Sequence, residues 1–151
     1  MRRIIIVFSI LGLMTQAGFF LDNGMGIRGQ QVAGAYTAMA TGVDAIYWNP
    51  SRMGLAPNEL YISYGQPFSE STEYAILSTT KLTDDQSIGV GYYRVGVDNI
   101  TRYSATSVNI GSFQFVNEAV YLSYSRPSFL IKGGKIGVSL KSVSQKAISQ
   151  N

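Results

Sequence analysis

The sequence predicts an all-β fold, specifically the N-terminal part of a transmembrane outer-membrane β-barrel with about five antiparallel strands. Three observations predict it. The chain opens with a short apolar run behind two arginines, which is typical of an export signal. From Glu59 onward, bulky apolar residues alternate with small or polar ones. The connections between the alternating segments are polar and contain turn-forming residues.

The first 17 residues are predicted to be a signal peptide. Arg2 and Arg3 precede an apolar run at residues 4–14, which is shorter than the roughly 20 residues of a bilayer-spanning helix. Small residues at Thr15 and Ala17 offer a cleavage site before Gly18. The alternative is a buried first strand of a cytosolic domain. Export predicts a location in the outer membrane of a Gram-negative-type bacterium.

Five later segments alternate with period two, as strands with two different faces do. Their bulky apolar positions share one face: Leu60, Ile62 and Tyr64; Tyr74 and Ile76; Ile88, Val90 and Tyr92; Val120, Leu122 and Tyr124; Ile136, Val138 and Leu140. Glycine, serine and lysine on the opposite face suit a hydrated barrel lumen, and tyrosines at segment ends suit aromatic girdles. In a soluble sandwich the apolar face would point into a core. The alternative is therefore a secreted soluble all-β protein without transport activity.

Lengths and connections agree with a membrane barrel. Residues 87–97 would extend about 35 Å, or roughly 25 Å at a tilt of about 45°, the height of an outer-membrane apolar band. Residues 83–86 predict a tight polar turn, and residues 98–116 predict a long external loop. The chain then returns through Arg126-Pro127 and Gly133-Gly134.

Composition excludes several function classes. The charged fraction of 14% lies below the roughly 25% usual in soluble domains. The net charge of +3 falls to about +1 without the two leader arginines, so no nucleic-acid partner is predicted. The absence of cysteine and histidine removes Ser-His and Cys-His nucleophile pairs and Cys/His metal sites. The acidic residues are scattered, with no pair standing out. The sequence predicts no catalytic residue, cofactor or metal, and no enzyme activity.

Residues 24–54 do not alternate and carry the string AGAYTAMATGVDAIYWNPSRMG. This string resembles the region near the mature N-terminus of FadL-like outer-membrane proteins, particularly the PorV/PorQ-type branch. The predicted plug motif comprises Gly34, Ala35, Tyr36, Asp44, Ala45, Trp48, Asn49 and Pro50; Thr37 and Ala38 also match, whereas Ser51, Arg52 and Met53 depart from the usual Ala-Gly-Leu. The resemblance implies that this segment plugs or lines a barrel of fourteen strands. The alternative is an ordinary surface turn at Asn49-Pro50 with Trp48 buried nearby.

Three regions are therefore predicted: the signal peptide at 1–17, an N-terminal plug or hatch at 18–58, and the first strands of an incomplete barrel at 59–151. Five strands cannot close, because the smallest single-chain barrels use eight. We expect an N-terminal portion of a longer protein or a truncated gene product.

One other motif competes for the same region. Gly24-Met25-Gly26-Ile27-Arg28-Gly29 satisfies the dinucleotide-binding pattern GxGxxG. That pattern requires a βαβ unit, whereas β-hairpin patterns follow it here. Nucleotide binding is therefore not favoured.

The resemblance implies two functions for the complete barrel. One is transport of hydrophobic small molecules, and the other is PorV-like docking of secreted proteins. Expected partners are outer-membrane lipid together with a hydrophobic ligand or a secreted protein.

Overall fold

The computed structural model describes residues 24–67 and 70–150, so the predicted signal peptide lies outside the described residues. The chain forms one antiparallel sheet in which each strand pairs with the next in sequence. The strands are β1 (Glu59–Gly65), β2 (Ser71–Lys81), β3 (Ser87–Tyr103), β4 (Asn109–Pro127) and β5 (Lys135–Gln150). The predicted all-β class with five antiparallel strands is confirmed, and the sheet is open.

The two faces of the sheet differ sharply in exposure. Leu122 is 48% exposed, whereas its neighbour Ser123 is 1% exposed. The apolar face consists of the exposed side chains of Leu60, Ile62, Tyr64, Tyr74, Ile76, Val90, Val120, Leu122, Val138 and Leu140. The small-residue face includes the buried side chains of Ala75, Leu77, Thr79, Ser87, Tyr93, Ala119, Tyr121, Ser123 and Ser125. The face with most of the aliphatic side chains is thus the uncovered one.

Residues 24–58 cover the small-residue face. They form short helices: α1 (Ile27–Gln31), a 3-10 helix (Gly42–Asp44), α2 (Ala45–Trp48) and a second 3-10 helix (Pro50–Leu55). Proline at the first position of the last helix starts it with a favourable φ and no lost hydrogen bond. Among the described residues, no helix combines the length and apolar character needed to cross a membrane.

The core lies between this segment and the sheet. Ile46 and Met53 point at the small-residue face, where Gly89 leaves the space they occupy. A Cβ atom added at Gly89 would lie 2.7 Å from the Met53 sulfur and 2.8 Å from Ile46 Cγ1. Gly89 of β3 is therefore needed for the close approach of residues 24–58 to the sheet.

The β2–β3 connection agrees with the prediction, whereas the β3–β4 connection does not. Leu82 N–H donates to the Gln86 carbonyl across 2.9 Å, which closes the predicted tight turn between β2 and β3. The predicted long loop at residues 98–116 is wrong, because β3 and β4 stay paired through Tyr103 and Asn109. A bulge with Asn99 at φ 55° absorbs the break in register, so the ladder continues.

Candidate functional site

Trp48 is the centre of the predicted plug motif and lies in a slot made of glycines. Its indole N–H donates to the Met25 carbonyl across 3.0 Å. Cβ atoms added at Gly24 and Gly29 would lie 2.8 Å and 2.5 Å from Trp48 Cζ2, too close to be accommodated without movement. Gly26 has φ 86° and precedes α1, a conformation that favours glycine. The three glycines of the GxGxxG pattern are therefore accounted for by packing and backbone geometry around Trp48.

Asp44 joins two parts of the segment that are distant in sequence. Its Oδ2 atom accepts hydrogen bonds from Arg28 Nη1 at 3.2 Å and from the Tyr36 hydroxyl at 3.1 Å. The carboxylate is buried, whereas the guanidinium is mostly exposed. Hydrogen bonding and charge attraction from Asp44 raise the pKa of Arg28 above its ordinary value. Burial, and next the negative charge of Asp44, raise the pKa of Tyr36. Both donors therefore keep their protons at neutral pH.

Aromatic contacts complete this cluster. The rings of Tyr36 and Trp48 meet edge to face, with centroids 6.0 Å apart. Tyr47 packs against Trp48 on one side, with centroids 5.0 Å apart, and against Tyr121 of the sheet on the other. Edge-to-face pairs of this kind add about 0.5–1.5 kcal/mol beyond area burial. They link the Trp48 slot directly to the small-residue face.

The Asn49-Pro50 turn packs on β5. The Asn49 side-chain amide donates to the Thr37 carbonyl at 3.2 Å, and its side-chain oxygen accepts from the Ser51 hydroxyl at 2.7 Å. A Cβ atom added at Gly137 would lie 2.2 Å from the Ser51 nitrogen. Only glycine at this position lets the two backbones approach so closely. The turn is thus not an isolated surface turn, because its backbone packs on a strand.

The two edge strands of the sheet, β1 and β5, form hydrogen bonds with residues 24–58. In β1, a carboxylate oxygen of Glu59 accepts from the Val43 N–H at 3.0 Å. In β5, the Ser139 hydroxyl donates to the Ile46 carbonyl at 3.3 Å and lies 2.6 Å from the Ser123 hydroxyl. Because β1 and β5 are the outermost strands, the segment contacts the sheet across its whole width.

The structure brings most of the predicted motif together. Tyr36, Asp44 and Trp48 form one cluster, and Ala45 is fully buried in the core beside it. Gly34 and Ala35 are exposed in the turn that leads into Tyr36, where Gly34 has φ 80°. Asn49 and Pro50 form the turn on β5 described above.

Sequence reasoning missed Arg28 and Gly137 as parts of this arrangement. A signal for Arg28 was present, because Asp44 is the only acidic residue in residues 24–58 and a buried carboxylate needs a partner. Nothing local marks Gly137 as the residue that faces the Asn49-Pro50 turn. Within the described ranges, no three His, Cys, Asp or Glu side chains are placed to hold a metal ion.

Comparisons of this chain with protein-family models, with curated proteins and with solved structures found no match. The resemblance noted above therefore depends on the residues of the Trp-Asn-Pro segment and the strand pattern alone.

Proposed function

We propose that this chain forms part of an outer-membrane β-barrel whose apolar face contacts lipid and whose lumen is plugged by residues 24–58. The observation that carries the proposal is the inverted alternation of the sheet. A soluble sheet buries its bulky aliphatic face and exposes its small polar face, because each Leu or Ile buried contributes about 1.5–3 kcal/mol. Here Leu122 is exposed and Ser123 is buried. A lipid solvent makes this arrangement favourable.

Charged residues bound a neutral band on the apolar face. On one side lie Arg94 and its cross-strand partner Glu118, whose side chains approach to 4.0 Å. On the other side lies Arg126, and the apolar-face positions of β4 between Glu118 and Arg126 are Val120, Leu122 and Tyr124. Eight residues of strand span about 27 Å, or about 19 Å at a tilt of about 45°. With long side chains reaching outward, this height approaches the roughly 25 Å of an outer-membrane apolar band.

Tyrosines border this band, as in an aromatic girdle. Tyr64 and Tyr74 are cross-strand partners with ring centroids 5.1 Å apart, in the same row as Arg94. Tyr124 lies near the opposite edge, where its hydroxyl donates to the Gln86 side chain at 2.7 Å. Tyrosine is favoured at such depths because its ring is apolar and its hydroxyl reaches polar groups. In the membrane, the open edges of β1 and β5 would need further strands as partners, since unpaired backbone groups in lipid cost several kcal/mol each.

A plugged lumen supports controlled passage of hydrophobic small molecules as the function of the barrel. The plug is held by Glu59, by Ser139 and by packing on Gly89 and Gly137, all on the small-residue face. Docking of a secreted protein is the second candidate. One observation favours it, namely that the β3–β4 hairpin extends past the end of β2 and exposes apolar side chains near its tip, including Tyr103, Val108 and Ile110.

Cysteine labelling tests the membrane proposal, since the native chain contains no cysteine. Single cysteines at Leu122 and Ser123 differ by one position on β4 and therefore lie on opposite faces. In isolated outer membranes, we expect a lipid-soluble maleimide to label Leu122→Cys and not Ser123→Cys. Recovery of the protein in the soluble periplasm, or equal labelling of both positions, would refute the proposal.

A second experiment separates the two candidate functions. Purified protein is analysed for bound lipid-like molecules and for co-purifying proteins, with and without the hairpin tip at residues 103–110. Hydrophobic molecules that remain bound after the tip is deleted support transport. A secreted protein that is lost together with the tip supports docking.

A further inference from the structure

An apolar groove on the apolar face ends on a cation. Tyr124 pairs with Val138 across β4 and β5, and Arg126 pairs with Ile136 in the next row. Together with Gly137 these side chains line a groove of about 260 Å³. The side chains of Tyr124, Ile136 and Val138 are aromatic or aliphatic, and Arg126 adds a guanidinium. This is the polarity of a phospholipid, with a chain at one end and a phosphate at the other.

A stripe of apolar side chains continues from the groove along β4. Going up β4 from Arg126, the apolar-face residues are Tyr124, Leu122 and Val120. Six residues of strand span about 20 Å, or about 14 Å at a tilt of about 45°. Half of a bilayer's hydrocarbon core is about 15 Å thick. The stripe that begins at Arg126 is therefore as long as the acyl region of one leaflet.

The turn beside the groove presents three consecutive apolar side chains. Phe129, Leu130 and Ile131 are 77%, 79% and 68% exposed. The turn is nevertheless ordered, because the Ser128 hydroxyl accepts from the N–H groups of Leu130 and Ile131 at 3.1 Å and 3.2 Å. The Gly134 N–H also donates to the Ile131 carbonyl at 3.0 Å. A fixed apolar tip of this kind suits the membrane interface.

Two cations, Arg126 and Lys132, flank this tip. Among the residues that the structure describes, the ion pairs are Arg28–Asp44 and Arg94–Glu118, so Arg126 and Lys132 are unpaired. The neighbouring β2–β3 turn carries Asp84 and Asp85. An anion at this end of the sheet is therefore expected at the β4–β5 turn and not beside β2.

We propose that the groove binds one anionic phospholipid, with its phosphate on Arg126 and Lys132 and an acyl chain along Tyr124 and Leu122. The proposal rests on the membrane placement proposed above. Guanidinium groups match phosphate geometry, and each cation near an anionic membrane surface strengthens binding by about fivefold.

The test uses the full chain reconstituted in bilayers of phosphatidylcholine mixed with an equal amount of phosphatidylglycerol. Native mass spectrometry then measures which lipid stays bound. We expect retention of phosphatidylglycerol over phosphatidylcholine, and we expect Arg126→Gln/Lys132→Gln to reduce this preference by about fivefold per lost cation. The matched control is Lys141→Gln/Lys146→Gln, which removes two cations of β5 away from the groove and should keep the preference.

Two negative results have different meanings. If the protein inserts into bilayers and shows the one-sided cysteine labelling, but the groove variant keeps the full preference, the lipid site is refuted and the membrane placement stands. If the protein inserts into neither pure phosphatidylcholine nor the mixture, both proposals are refuted.

Discussion

Substituting Gly137 tests how residues 24–58 are attached to the sheet. In Gly137→Ala, the new Cβ atom would lie 2.2 Å from the Ser51 nitrogen and 2.4 Å from the Pro50 carbonyl carbon. Both atoms belong to backbone, so a side-chain rotation cannot relieve the overlap. Overpacking of this kind costs about 1–3 kcal/mol. We expect the free energy of unfolding to fall by that amount, with the Asn49-Pro50 turn displaced from β5.

The matched control is Gly65→Ala, at the end of β1. A Cβ atom at Gly65 has no atom within 4 Å, so this substitution only removes backbone freedom from the unfolded chain. We expect an increase of about 0.5–1 kcal/mol or no change. The two variants thus introduce the same methyl group into strands of the same sheet, and only Gly137→Ala is expected to destabilise the protein.

The assay combines urea unfolding in detergent with limited trypsin digestion. Arg52 is half-buried and its side chain donates to the Ala40 carbonyl at 3.0 Å, which restrains the chain near the cleavage site. Displacement of the turn should therefore speed cleavage after Arg52 in Gly137→Ala and not in Gly65→Ala. Equal stability and equal cleavage rates in the two variants would show that residues 24–58 do not pack on β5 as described.

Three further predictions concern the cluster around Trp48. Asp44→Ala leaves the buried Tyr36 hydroxyl without its acceptor and should lower the free energy of unfolding by about 1–3 kcal/mol. Arg28→Gln changes an exposed guanidinium and should lower it by less than about 1 kcal/mol. Urea unfolding of both variants measures the difference. Folding raises the pKa of Tyr36, so the unfolded chain loses this proton at a lower pH than the folded chain. The free energy of unfolding should therefore fall as the pH rises above about 10. A Tyr36→Phe variant whose free energy of unfolding falls equally steeply with pH in this range would contradict the prediction. Gly29→Ala would place a methyl group 2.5 Å from the indole and should expose Trp48, which is the only tryptophan; an unchanged fluorescence maximum would argue against the glycine slot.

Much of the sheet could be predicted because strand periodicity is local. The alternation of Ile136, Val138 and Leu140 with glycine, serine and lysine identifies β5 without any knowledge of its neighbours. The turn at residues 83–86 was predictable for the same reason. The β3–β4 hairpin was not, because Asn99 and the polar residues around it favour a loop locally. Pairing of Ile100 and Thr101 with Phe113 and Ser112 continues the ladder past the bulge at Asn99.

Likewise, only part of the candidate site could be predicted from the sequence. The Trp-Asn-Pro string directed attention to Trp48 and Asn49 from sequence alone. The residues that contact this motif carry no local signal or lie far away in sequence, namely Gly29 beside Trp48, Arg28 beside Asp44 and Gly137 beside the Asn49-Pro50 turn. A close backbone approach depends on which two segments meet in space, and a single residue's identity does not reveal that.

The sequence by itself determined which residues share a face of the sheet, since side chains of neighbouring strand residues point to opposite sides. It could not determine which face is covered, because a soluble sandwich and a membrane barrel have the same alternation. The tertiary structure decided that question. Residues 24–58 lie on the small-residue face because Gly89 and Gly137 admit their side chains and backbone there, and Leu122 and its neighbours on the apolar face remain uncovered.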